Sequence, residues 1–353
     1  QMMEQEYVLA SGLRYLDLIG LNPYKSTWQQ RIRALMFVSS AIFGYFLNLI
    51  GLFYNCLDLK SIADSMDSIP AAQQVTVKLL GAVIMKKQLY NLYKTVEMKW
   101  PNDVYGPELE KRLNELSLSF KRIYMVYRGT IWFAVLLYFS RPLMLFSKVS
   151  ITEIYLPCDL SSNYCYASGL FVQIVYVVVL ASVIYSLDAV FYAFLFHAYV
   201  ELEKIKHGFI NLPITEDMLN DKVTYQEFSK LVEHHNSVIK FLDDVNNVYH
   251  LQLLNHFITM SAIIVFGVFS INMDGFPPNL SKLIRCVPFL ISYHFQLYIY
   301  CVSGEEVYNQ LCSVSDVIYN SKWYIKRQSN FTKVNLCLTY FEHATLASLG
   351  AFL

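Results

Sequence analysis

Four groups of residues in this chain have the types and spacing to do chemistry. His234-His235 could hold a metal, Glu342-His343 could pass a proton, Cys158 and Cys165 could join as a disulfide, and Asn279-Leu280-Ser281 is a glycosylation sequon. Adjacent histidines on a helix point about 100° apart, so His234-His235 does not chelate as a pair. Glu342-His343 falls in an apolar run. An ionisable pair at membrane depth faces a water path, a protein interface or a neighbouring helix. Cys158 and Cys165 stand seven positions apart, and on spacing alone two free thiols fit as well. A second sequon, Asn330-Phe331-Thr332, shows how readily that tripeptide arises by chance. The sequence has no phosphate-binding glycine loop, nucleophile elbow, zinc-protease helix or paired Cys-x-x-Cys. Neither an enzyme nor a cofactor or metal site is expected. A potassium-filter sequence is also missing, which leaves a wide or hydrophobically gated pore open. Cys56, Cys286, Cys301, Cys312 and Cys337 are scattered and read as structural.

The elements that carry these residues are apolar runs. The chain has 353 residues, of which 55% are hydrophobic and only 16% charged, with a mean hydropathy of +0.34. Soluble domains carry about 25% charged residues. The formal net charge is zero, so no global field points to nucleic acid. The first twenty residues include Glu4, Glu6, Arg14 and Asp17, which do not suit a signal peptide. A first residue Gln1 and an end inside an apolar run suggest a fragment. Seven spans are expected, at 34–54, 70–92, 123–146, 168–200, 251–271, 283–303 and 333–353. The second carries Lys78, Lys86 and Lys87, the third Arg128, and the seventh Glu342 and His343, so these face protein or water rather than lipid.

Basic residues fix the direction. The N-terminal segment 1–33 holds Arg14, Lys25, Arg31 and Arg33, whereas the connection after span one holds only Lys60. The next connection is rich in Lys and Arg, the following one has Lys148 alone, and the alternation continues along the chain. The positive-inside rule then puts the N-terminus in the cytoplasm and the C-terminus outside, the reverse of a G-protein-coupled receptor. Asn279 and the Cys158/Cys165 pair both fall in connections expected outside, where disulfides persist.

Two stretches are too long to stay in a bilayer. Residues 168–200 would reach roughly 50 Å as a helix, against a hydrocarbon core of about 30 Å. Asp188 is expected near the inner end of that helix. Residues 220–249 show a helical apolar period through Leu231, Val238, Leu242 and Val245 that runs into span five. With 304–324, these make helices projecting below the membrane, explained by oligomerisation through that layer or by packing within the chain. There are 27 Tyr and 24 Phe, many in the outer halves of spans. Interfacial belts, lipid-buried packing and an apolar pocket for a small lipophilic ligand all remain open on composition.

The chain resembles an insect odorant receptor of the ligand-tuning type. Residues 15–23 (YLDLIGLNP) are similar to that family's N-terminal Gly-Leu-x-Pro segment. Residues 231–245 (LVEHHNSVIKFLDDV) are similar to its helix before span five. Residues 308–324 (YNQLCSVSDVIYNSKWY) resemble its inner seventh helix, and 338–353 its outer seventh helix. The sister gustatory family carries a Gln-Phe after Thr-Tyr in the last span, and Thr339-Tyr340 here lacks it. The long cytoplasmic insertion of the co-receptor is absent.

The resemblance implies an all-α membrane protein with seven transmembrane helices and helices extending into a cytoplasmic assembly layer. Residues 34–303 would hold spans one to six with projecting helices that include 201–250. Residues 304–353 would form a split seventh helix, with 304–324 its cytoplasmic half and 333–353 its pore-lining half. It implies a plasma-membrane, odorant-gated, non-selective cation channel, assembled as a tetramer with the co-receptor. The ligand-binding residues would be Val75, Leu79, Trp132, Leu136, Tyr138, Phe139, Phe171, Tyr176, Phe266, Phe289 and Tyr293. Leu346, Leu349, Phe352 and Leu353 would form the gate, and Leu311, Ile318, Trp323 and Tyr324 would serve assembly. Competing readings are a G-protein-coupled-like chemoreceptor, a gustatory channel and a transporter. The last predicts inverted repeats, and none is visible.

Overall fold

The computed structural model describes residues 4–55, 68–144, 148, 150–152, 155, 162–212, 222–273, 275 and 280–320. They form eight helices: α1 Glu4–Leu18, α2 Trp28–Asn55, α3 Ser68–Ile84, α4 Lys86–Glu97, α5 Pro107–Met144, α6 Asn163–Ile210, α7 Lys222–Asn272 and α8 Leu280–Asn320. There is no strand among the described residues. Five helices are long and apolar enough to cross a membrane, or six if α3 and α4 together count as one span. The seventh expected span, 333–353, lies outside the described residues.

Helix α6 is the central post. Every residue from Tyr185 to Leu195 is buried, as a helix that is apolar all round demands. It packs against α1, α5, α7 and α8, with further contacts to α2 and α3. Its 48 residues span roughly 72 Å, so much of it stands beyond a bilayer core. The 51 residues of α7 and 41 of α8 run alongside it. Leu202, Ile205, Leu231, Val238, Leu242, Val245, Val307 and Val314 extend one continuous core into the projecting part.

Local chemistry sets the helix ends. Gly106 takes φ +99, Pro107 opens α5, and Glu108 and Glu110 sit in its first turn, where an N-terminal dipole favours acids. The turn between α1 and α2 depends on Gly20, at φ +81. A Cβ there would meet the Gln30 carbonyl oxygen at 2.3 Å. Asp17 ties this turn by pairing with Lys25 at 3.0 Å and accepting from Gln30 Nε2 at 2.6 Å. The Lys25 hydrogen bond, with smaller help from Asn22 and Gln30, holds the Asp17 carboxyl below its usual value against a modest burial effect. The Gly-Leu-x-Pro segment is therefore a folded turn with a steric reason for its glycine.

Three expectations need correction. The run 70–92 is not one straight span: α3 and α4 meet at a 75° bend. Met85 leaves helical geometry at φ −91, ψ 16, so Lys87 is exposed while Lys78 stays inside. Second, no helix break falls between 303 and 304. Gly304 sits within α8, and the buried stripe Val307, Leu311, Val314, Ile318 continues the face carrying Ile299. Residues 304–320 thus belong to the same helix as span six. Third, Leu311 and Ile318 are buried in this chain's own core rather than presented to another subunit. Trp323 and Tyr324 lie outside the described residues.

Candidate ligand-binding site

A cavity of about 90 Å³ lies between α5, α6 and α8, under the short segment 150–152. One water needs only about 10–15 Å³ on this measure, so the space suits a small organic molecule. Its walls come from helical repeats on three helices. Ile131, Ala134, Val135 and Tyr138 line it from α5, and Tyr176, Val177, Leu180, Ala181 and Ile184 from α6. From α8 come Phe289, Ser292, Tyr293 and Gln296, with Ser68 and Ala71 of α3 and Thr152 completing the wall. Spacings of three and four residues keep each set on one face. Tyr138 and Phe289 stack with ring centres 6.1 Å apart, and Phe289 meets Tyr293 edge-on at 4.5 Å.

Tyr176 reaches the cavity because α2 carries a glycine opposite it. A Cβ at Gly44 would lie 2.1 Å from the Tyr176 ring. The Tyr176 hydroxyl stands 3.5 Å from Asn48 Nδ2. Gln173 holds the segment over the cavity: its Oε1 accepts from the backbone N–H groups of Ile151 (2.7 Å) and Thr152 (3.2 Å), and its Nε2 donates to Ser150 Oγ (2.7 Å). Cys165, near the start of α6, is buried and disulfide-bonded, whereas Cys286, Cys301 and Cys312 are free. Cys158 and Asn279 lie outside the described residues, as do Leu346, Leu349, Phe352 and Leu353.

The floor of the cavity is polar. Asp188 is fully buried in α6 and pairs with Lys78 of α3 at 2.5 Å. It also accepts from Tyr127 of α5 (2.5 Å), Tyr300 of α8 (2.6 Å) and Gln296 (2.5 Å). His256 of α7 packs against Tyr300 at 4.4 Å and meets Gln74 Nε2 at 2.6 Å. A lone buried charge would be costly, and this one is held by a cation and three donors from three other helices. Asp188 is therefore a structural knot in the middle of the bundle rather than a residue at the inner end of α6.

Beyond the knot, α6 ends in a charged belt. Glu201 accepts from Lys204 (2.7 Å) and meets His234 Nε2 at 3.0 Å, while Lys204 also donates to the Trp100 carbonyl (2.6 Å). The His234 ring stacks on Trp100 at 4.0 Å. Glu203 binds Arg112 (2.8 Å), Lys206 (3.1 Å) and Gln310 (2.5 Å). His234 packs on Trp100 and Glu201 while His235 is buried, and no cluster that could hold a metal exists among the described residues.

Of the eleven expected ligand residues, Tyr138, Tyr176, Phe289 and Tyr293 line the cavity. Val75 and Leu79 are core residues. Leu136 and Phe171 face outward, exposed by 64% and 68%, because they sit on the far side of their helices from the lining stripe. Trp132, Phe139 and Phe266 are half-buried away from it. The three- and four-residue spacing from Tyr138, Tyr176, Phe289 and Tyr293 would have found Ala134, Leu180, Ser292 and Gln296.

The 7tm odorant receptor family model matches residues 58–351. Odorant receptor 22c of Drosophila melanogaster is 29% identical over 110 residues, which is 31% of this chain and 26% of that protein. Odorant receptor 85b of the same fly is 31% identical over 94 residues, covering 27% of this chain and 23% of its own length. The matched segments span about a quarter of these curated relatives. The fold is similar to that of the olfactory receptor OR5 of Machilis hrabei, with a TM-score of 0.80 at 14% identity over 96% of this chain and 90% of that one. A structure of the same receptor in complex with eugenol gives 0.78, also at 14% identity, over 98% and 97%. This multi-pass, all-helical chain belongs to the 7tm odorant receptor family.

Proposed function

We propose that this receptor is the odorant-binding subunit of a heteromeric, ligand-gated, non-selective cation channel in the plasma membrane of sensory neurons. The observation that carries the reading is the apolar cavity between α5, α6 and α8, of a size for one small volatile molecule. The similar fold of OR5, solved in complex with eugenol, supports a small organic ligand within this architecture. The basic-residue alternation supports an N-terminus in the cytoplasm, which makes the cavity end the outer one and the Glu201 belt the inner one. Residues 333–353 would line the pore, with Leu346, Leu349, Phe352 and Leu353 gating by dewetting. Assembly with the co-receptor as a tetramer rests on the family resemblance. Leu311 and Ile318 are already covered, so α8 would offer the exposed Tyr308 instead.

Mechanism follows from differential binding. A ligand opens the channel only if it fits the open cavity better than the closed one. A ligand burying roughly 150 Å² of apolar surface gains about 4 kcal/mol at about 25 cal/mol per Å². That alone corresponds to a Kd of about 1 mM. Shape and any directional contact therefore decide which volatile acts at lower concentration. The test is whole-cell current from the full-length receptor co-expressed with the co-receptor under a panel of volatiles. A surface-expressed complex that passes no cation current with any volatile would sink the channel reading. An N-terminal tag reached by antibody on intact cells would sink the orientation.

A further inference from the structure

Only a few polar atoms interrupt the cavity wall, and the Ser292 and Gln296 donors on α8 are committed elsewhere. Gln296 gives its Nε2 to the Asp188 carboxylate at 2.5 Å. A carboxylate accepts only, so this contact fixes which end of the amide is nitrogen. The amide oxygen Oε1 accepts no hydrogen bond among the described residues, and Gln296, 3% exposed, lines the cavity. One turn away on the same face, Ser292 donates to the backbone carbonyl of Pro288 (3.0 Å) or Thr130 (3.2 Å). A hydroxyl has one hydrogen, so Ser292 is left with lone pairs to offer. At the opposite, loop end of the cavity, the Thr152 hydroxyl is buried and has no hydrogen-bond partner among the described residues.

We infer that the cavity selects a hydrogen-bond donor: a small ligand with an apolar body and a hydroxyl group, an alcohol or phenol, seated on Gln296 Oε1 and Ser292 Oγ. This inference rests on the proposed function and names its ligand class. The physical reason is asymmetric. A hydroxyl supplies the missing donor, whereas an ether or hydrocarbon of the same shape buries two acceptors away from water without a partner. The body is held by shape among Tyr138, Tyr176 and Phe289, which carry no requirement for one particular skeleton. Asp188 is what makes the acceptor permanent, because rotating the Gln296 amide would set an oxygen against the carboxylate.

The experiment compares matched pairs, phenol with anisole and an alkyl phenol with its methyl ether, on the full-length receptor with its co-receptor. The hydroxyl member is expected to act at roughly tenfold lower concentration. Ser292→Ala should narrow that ratio, and Gln296→Met should erase it. Ser292→Thr supplies a control that keeps its hydroxyl, and a surviving hydroxyl preference there supports the assignment even if Gln296→Met fails to reach the surface. Equal potency of each pair on the unmodified receptor overturns this inference and leaves the channel reading intact. A surface-expressed complex that answers no volatile removes both.

Discussion

Helix α6 meets opposite environments along its length. Around Tyr176 and Leu180 it borders a cavity whose walls are chiefly aromatic and aliphatic, with hydroxyl and amide groups at the two ends. Around Glu201 and Glu203 it is bound by Lys204, His234, Arg112, Lys206 and Gln310 at 2.5–3.1 Å, with a buried apolar core between. Asp188 divides the two regions. Directional contacts from α5, α7, α8 and the Trp100 carbonyl fix the charged end in one arrangement, whereas loosely filled apolar space tolerates several occupants. Under the proposed function, recognition would thereby be separated from assembly of the bundle within one helix.

The largest expected effect comes from breaking the divider. Asp188→Leu leaves Lys78 buried and unpaired and should cost about 3–5 kcal/mol, read as a lowered thermal transition in detergent. The double change Asp188→Leu with Lys78→Met should recover most of it; no recovery would mean that the site matters for something other than charge pairing. Gly20→Ala comes next. The left-handed φ alone costs about 1–2 kcal/mol, and the contact with the Gln30 carbonyl adds to it. Loss of stability without any change in ligand ranking is expected, since the turn is remote from the cavity.

Glu203→Ala should lower the transition by about 1–3 kcal/mol through the unpaired Lys206 and Gln310 it leaves behind, again with ligand ranking unchanged. Gly44→Ala should act the other way round. It pushes the Tyr176 ring into the cavity, so bulky volatiles should lose potency by about tenfold while small ones keep theirs. A uniform loss across all volatiles would show that α2 had moved instead of the ring. The smallest effect belongs to Leu136→Ala and Phe171→Ala, whose outward side chains should change stability by less than about 0.5 kcal/mol and ranking not at all. If Phe171→Ala reorders ligands, the cavity is not the recognition site.

How much of this was legible in sequence follows from what each feature depends on. The long apolar runs of α6 and α7 and their continuation past the bilayer thickness were visible because hydropathy and period are local properties. The bend at Met85 was hidden, because Lys78 and Lys86 read alike until one of them finds Asp188 from another helix. The continuity of α8 through Gly304 was hidden for the opposite reason: a glycine looks like a break unless its surroundings are known. Four cavity aromatics were found by type, but Gln296 was missed because its meaning depends on a carboxylate 108 positions earlier. The gate and the outer seventh helix fall outside the described residues.

The unbroken course of α8 has a mechanical consequence. Phe289 and Gln310 ride one rod roughly 32 Å apart, and the donor missing at Pro288 lies outside that stretch, before Phe289. A rod of this kind has little slack. Under the proposed function, a twist or tilt that a ligand imposed on the Phe289 face would reappear as displacement of Gln310 against Glu203. The charged belt would then act as the spring that resists occupancy of the cavity, and its stiffness would set how much of a ligand's binding energy is spent before the rest of the receptor moves.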